Sequence, residues 1–192
     1  MSLDGYAAGN NQSFENPFGD NFDSDLLDRW IFAEPEKHHH KKEIEGILDA
    51  GAFIMGSNMF GPKDRRDKQE WKGWWGNNPP YHAPVFVLSH NERAPLEMEG
   101  GTIFYFVTDG IESALRKAKE AAGHRDVKIM GGANTVNQYL AAGLVDELWL
   151  HIAPVTLGAG VRLFDGVPNL KLEAVQVSGT GVVTHIRYNV LK

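Results

Sequence analysis

The feature that most restricts the fold of this chain is a strand–glycine–helix junction near its middle. A short run with apolar Val127, Ile129 and Met130 stops at Gly131-Gly132, a helical pattern follows with Val136, Tyr139 and Leu140 on one face, and Gly143 closes it. A helix start carries unpaired backbone N–H groups and a partial positive charge. Two residues without a Cβ let an anion come close to that backbone, so the junction suits a phosphate. A Gly-Gly pair by itself is more often a plain tight turn. Its meaning depends on what else the chain carries.

A second junction of the same kind precedes it. Ala52–Met55 (AFIM) is wholly apolar, as expected of a strand covered on both faces, and Gly56 followed by Ser57, Asn58, Met59 and Phe60 opens a helix. Val85–Leu88 is a third apolar strand, ending in Ser89-His90, and residues 102–107 are a fourth. Helices are expected over 23–32, with Leu26, Leu27, Trp30 and Ile31 as apolar stripe, over 41–50, and over 109–122 with Asp109 as cap. Residues 145–153 form a longer strand, and the alternation after Leu170, broken at Gly179-Thr180-Gly181, is an antiparallel hairpin. Residues 1–19 read as a long loop, and Met1-Ser2-Leu3 as the end of a strand. Strands alternating with helices and closed by a hairpin predict one three-layer α/β domain over 1–192, with a mostly parallel sheet and an antiparallel edge.

Composition narrows the function. A net charge of −6 gives no support to nucleic-acid or membrane-surface binding, and no apolar run reaches the ~20 residues a membrane span needs. With no cysteine there is neither a disulfide nor a thiolate, which fits a cytoplasmic location.

Ligands of open α/β sheets sit beyond the carboxyl ends of the strands. Three strand ends here carry suitable residues: Gly56-Ser57-Asn58, Ser89-His90 and Gly131-Gly132-Ala133-Asn134. Neither a Rossmann nor a Walker glycine pattern occurs. The order of motifs, SLDGYAAG (2–9), FIMGSNMFG (53–61), VFVLSH (85–90), the long stretch 129–160 and RLF (162–164), resembles the dihydrofolate-reductase-like domains, in particular the riboflavin-biosynthesis (RibD) C-terminal reductase domain. The resemblance covers essentially the whole chain. It implies hydride transfer from NADPH, with NADH open beside it, to a pteridine- or pyrimidine-like small molecule. It places the pyrophosphate at Gly131, Gly132 and the helix start Ala133, Asn134 and Thr135, and the other phosphate side at Gly56, Ser57, Asn58 and Met59. The adenosine end falls to Leu88, Ser89 and His90, and the nicotinamide to the loop 4–9, including Ala8. A homodimer is expected.

The chain also departs from that family. Ser57 and Met59 stand where an arginine and a threonine are usual, removing a charge-assisted phosphate contact of about 1.5–3 kcal/mol. Met130 stands where many riboflavin reductases have glutamate. A nucleotide- or flavin-binding module without turnover is therefore an alternative, and a purely structural homodimer a third. The family's first strand precedes SLDG, so either the start lies upstream or the sheet lacks a strand.

If a ring nitrogen must be protonated, one carboxyl group is needed. Asp25 is the first candidate and Asp4 the second, against plain roles at a helix start and in a turn. No metal site is expected: His38-His39-His40 reads as a solvated face, and His151 and His185 as satisfied strand residues. Trp71, Trp74, Trp75 and Pro79-Pro80-Tyr81 either wall a pocket for a flat ring or pack under a loop or dimer contact. Arg162 either binds a substrate anion or joins a surface ion pair.

Overall fold

A computed structural model describes residues 1–20 and 22–192. The chain forms two compact units, one of Gly46–Thr135 and one of Met1–Glu45 with Val136–Lys192.

Gly46–Thr135 holds the parallel sheet. Its strands are β2 (Ala52–Gly56), β3 (Pro84–Leu88), β4 (Leu96–Glu97), β5 (Ile103–Val107) and β6 (Val127–Gly131), in the order β4-β5-β3-β2-β6. Only β4 runs antiparallel. All five residues of β2 are buried, which is why the segment is apolar without alternation. Helix α5 (Ile111–Ala122) packs on β2, β3 and β6 through Ala114, Ala118 and Ala122, one residue per turn. Ile111 and Leu115 lie half-buried at the margin of that face. Asp109 is not its cap: Gly110 occupies that place, and the Asp109 carboxylate accepts from the Ser113 hydroxyl at 2.7 Å.

In the tryptophan segment, Trp71 and Trp75 pack, partly buried, against this unit's core. Trp75 stacks on Phe104 and meets Tyr81 edge-on, and the Trp71 indole N–H donates to the Phe60 carbonyl at 3.0 Å. Arg93 holds the segment down, donating to the carbonyls of Gln69 (3.0 Å) and Trp71 (2.6 Å) while its guanidinium lies over the Phe106 ring.

The other unit is built on antiparallel pairing. β7 (Glu147–Ile152), β9 (Lys171–Gly179) and β10 (Thr184–Leu191) run in the order β7-β10-β9, so the predicted hairpin is present and takes β7 as its third strand. Inside the predicted N-terminal loop lies a short strand, β1 (Tyr6–Ala8), paired with β8 (Val161–Arg162). A Cβ at Gly160 (φ +139°) would meet the Ala8 carbonyl oxygen, so this approach requires glycine. Ser2 forms a parallel bridge to Ala153, as the strand-like reading of the first residues implies. Arg162 lies over the Tyr6 ring.

Helix α1 (Asp25–Phe32) buries Leu27 and Trp30, while Leu26, expected inward, is exposed. The short helix α2 (Glu36–His39) and α3 (Lys41–Leu48) follow. Here the solvated-face reading of the three histidines fails for one of them: His38 and His39 are exposed, but His40 is only 2% exposed. The turn between α2 and α3 points it against the Trp30 and His185 rings. His185 pairs with His151 across the ladder, and their Nδ1 atoms are 2.6 Å apart. Burial, with the neighbouring imidazoles adding to it, pushes His151 down to about 3. Among the described residues no helix is long and apolar enough to cross a membrane.

Candidate functional site

Parallel pairing brings the three predicted strand ends to one edge of the sheet. Gly56, the last residue of β2, is in register with Leu88, the last of β3, and Met55 is in register with Gly131 at the end of β6. Beyond β2 the chain turns into α4 (Ser57–Phe60), and beyond β6 into α6, which runs over Ala133–Ala141. Gly56–Met59, Leu88–His90 and Gly131–Thr135 thus meet at the carboxyl ends of neighbouring strands.

The glycines there have separate tasks. A Cβ at Gly56 would run into the Thr135 hydroxyl, so Gly56 lets the two junctions lie side by side. Gly131 has φ +125°, a conformation that favours glycine, and joins Gly132 through a cis peptide. A Cβ at Gly132 meets no atom within 4 Å, so the backbone at the start of α6 borders open space. Side chains around it divide by burial. Ala133 and Thr135 are buried and pack inward; Asn134 and Asn58 are exposed, and Gly132 is half-buried. Met59 and Met130 pack on the apolar cluster of Phe53, Met55 and Phe60 and put no charge beside the glycines.

A small crevice at this edge is lined by Ser57, Arg66, Asp67, Ser89, Glu92 and Arg93. Arg66 donates to the Asn58 side-chain carbonyl. It supplies a cation next to the stretch whose expected arginine is Ser57, and it was not foreseen because it comes from the aperiodic segment. Its only sequence signal is the charged run 63–68. Ser89 ends β3 with a local turn, its hydroxyl donating to the Asn91 carbonyl at 2.9 Å, and His90 is exposed.

The remaining predicted residues lie in the other unit. Ala8 is buried in β1. The Asp4 carboxylate accepts from the Ser2 hydroxyl at 2.6 Å and from the amides of Leu157 (3.1 Å) and Gly158 (2.8 Å). These donors, the hydroxyl foremost, lower its pKa to about 2, so it stays ionised and fastens the loop 155–158. Asp25 is exposed at the start of α1, its amide donating to Asp23 at 3.1 Å. The carboxyl group that departs upward is Asp28, one turn further along α1. Burial first, then the nearby Asp25 and Asp23 charges, raises it to about 6. The i, i+3 spacing of Asp25 and Asp28 was visible in the sequence, but the desolvation that dominates was not.

The chain is similar to several known proteins. A protein named YyaP of Bacillus subtilis is 38% identical over 81 residues, 41% of this chain and 43% of that protein, so the match spans less than half of its curated relative. A Shewanella sp. PV-4 protein named for riboflavin biosynthesis is 22% identical, with TM-score 0.68, covering 100% of this chain and 96% of that one. A pyrimidine reductase-like protein of Corynebacterium diphtheriae is 17% identical, with TM-score 0.55, covering 100% and 89%. The family model described as the RibD C-terminal domain matches residues 1–184, and the chain belongs to that family.

Proposed function

We propose that this chain is a reductase that uses NADPH to reduce a pteridine- or pyrimidine-like small molecule. The observation that carries the reading is the meeting of two glycine-opened helix starts at neighbouring parallel strand ends, with open space at Gly132. When bound, the cofactor supplies a hydride. The chain's own residues position it. Gly131, Gly132 and the first turn of α6 hold the pyrophosphate through backbone amides and the helix dipole. Gly56–Met59 take the other phosphate side, Leu88–His90 the adenosine end. Arg66 faces the 2′-phosphate in place of the arginine missing at position 57, which favours NADPH over NADH. The carboxyl candidates for protonating a ring nitrogen are Asp25 and Asp4; Asp28, one turn beyond Asp25 on α1, is raised by burial to about 6. The pyrimidine-like substrate rests on family membership and on the Corynebacterium relative's name. One family match runs through both units, which supports the reading of residues 1–192 as one domain.

Titrating the protein with NADPH and NADH while following tryptophan fluorescence tests this. Quenching by NADPH at micromolar levels is expected, and no quenching by either at millimolar cofactor sinks the reading. A second reading, a binding module without turnover, is favoured by Met59 and Met130, which leave the glycines without a neighbouring charge. Quenching without NADPH oxidation by any pteridine or pyrimidine acceptor would select it. A homodimer through β9 is the assembly we infer: β9 is a nine-residue edge strand with Val175 47% and Val177 65% exposed. Light scattering that finds only monomer would refute it.

A further inference from the structure

We propose that His40, Glu43 and His185 form a binding site for a zinc-type transition-metal dication, with Thr180, Ser178 and His151 as its outer shell. It is independent of the cofactor reading. The three donor atoms all lie within 4.8 Å of one another. His40 and His185 are buried, and Glu43 is half-buried three residues after His40, on the same side of the chain's entry into α3.

The argument rests on the outer partners. A histidine that binds a metal through one ring nitrogen carries its proton on the other, and that N–H needs an acceptor to fix ring and tautomer. His40 Nδ1 and His185 Nε2 face each other at 2.9 Å. Their opposite nitrogens are already matched: His40 Nε2 lies 3.1 Å from the Thr180 hydroxyl oxygen, and His185 Nδ1 lies 2.6 Å from His151 Nδ1. The Glu43 carboxylate accepts from the Ser178 hydroxyl at 3.1 Å. Each of the three donors therefore has its orienting group in place, and the Trp30 ring walls the cluster. Tetrahedral zinc with ligands at about 2.0–2.2 Å separates them by roughly 3.3 Å. The two imidazoles need to part by a few tenths of an ångström, while Glu43, on the open side, swings in. Two imidazoles and one carboxylate suit zinc or its transition-metal neighbours, not calcium or magnesium, and leave a fourth position for water. The ion would fasten the start of α3 to β10.

The rival is a purely hydrogen-bonded histidine chain, in which one proton between His185 and His40 does the work of the ion. The test uses untagged full-length protein, stripped with chelator and dialysed. Calorimetric titration with Zn²⁺ should show one equivalent per chain, and Co²⁺ should give the visible absorption of a low-coordinate nitrogen–oxygen site. The melting temperature should rise by roughly 5–10 °C at a hundredfold excess over Kd. Glu43→Gln, on the accessible side and able to keep Ser178 as partner, should weaken binding by about tenfold or more, and His185→Gln should abolish it. The double variant His38→Ala/His39→Ala should bind as the parent does. Absence of binding, wild-type affinity in Glu43→Gln, or loss of binding in the His38/His39 variant would overturn the proposal.

Discussion

The edge of the parallel sheet and the histidine-lined interior of the antiparallel unit are opposite ways to make a polar site. At the sheet edge the site is made by leaving side chains out: Gly56 makes room for the Thr135 hydroxyl, and the bare backbone of Gly132 borders open space at the start of α6. Around His40, His151 and His185 it is made by side chains packed against one another, with the backbone consumed by ladder pairing. The first depends on segments that are individually short and recognisable. The second depends on partners separated by 145 residues in the chain.

The strongest way to break the contrast is to put a side chain where none exists. Gly132→Val places a branched Cβ into the open space at the α6 start, and NADPH affinity should fall by about 100-fold or more, or about 2.7 kcal/mol. Fluorescence titration reads the loss, with the melting temperature as a check on folding. If affinity is unchanged, the phosphate cradle is elsewhere.

Arg93→Ala attacks the support beneath the same edge. It strips the Gln69 and Trp71 carbonyls of a charged donor and uncovers the Phe106 ring, a loss of about 2–3 kcal/mol in urea denaturation. A red-shifted tryptophan emission should accompany it. Arg66→Gln is milder and more specific: NADPH affinity should drop about tenfold while NADH affinity stays put. Equal losses for both cofactors would remove Arg66 from 2′-phosphate recognition.

The smallest effect tests the side-chain-built unit. Asp28 has a folded pKa of about 6, above the ordinary carboxylate value, so the folded state resists its ionisation. Its contribution is fully present below about pH 4 and is lost as pH rises through about 6. Asp28→Asn should therefore stabilise the protein at pH 8 and leave it unchanged at pH 4. The gain is on the order of 1 kcal/mol, since solvent screens a half-exposed group. Thermal melts at the two pH values check it, and an equal shift at both would mean that ionisation is not the cause.

Much of the parallel unit was legible in the sequence. β2 and β3 are apolar runs ended by glycine or serine, and burial on both faces leaves that pattern intact in a single segment; β6, half-buried at the sheet edge, is marked by its closing glycines. The C-terminal hairpin was legible because alternation and the Gly179–Gly181 turn are local too. β1 and β4 were not. Three- and two-residue strands carry no period, and their existence depends on β8 and β5 being alongside.

The candidate site divides in the same way. That Gly56 and Gly131-Gly132 could approach an anion follows from the absence of a Cβ, a property of the residues themselves. That Gly56 accommodates Thr135, that Arg66 reaches Asn58, and that Arg93 staples the tryptophan segment were decided by packing.

What the sequence alone determined is where strands and helices end, where the backbone is bare, and which functions the charge and cysteine content disfavour. What only the tertiary structure decided is environment: His40 buried while His38 and His39 stay exposed, Asp4 held ionised by the Ser2 hydroxyl together with two distant amides, Asp28 pushed toward neutrality. Desolvation and hydrogen bonding depend on how many atoms surround a group. For His40 and the Asp4 amides those atoms come from segments far away in the chain, so no local pattern records them.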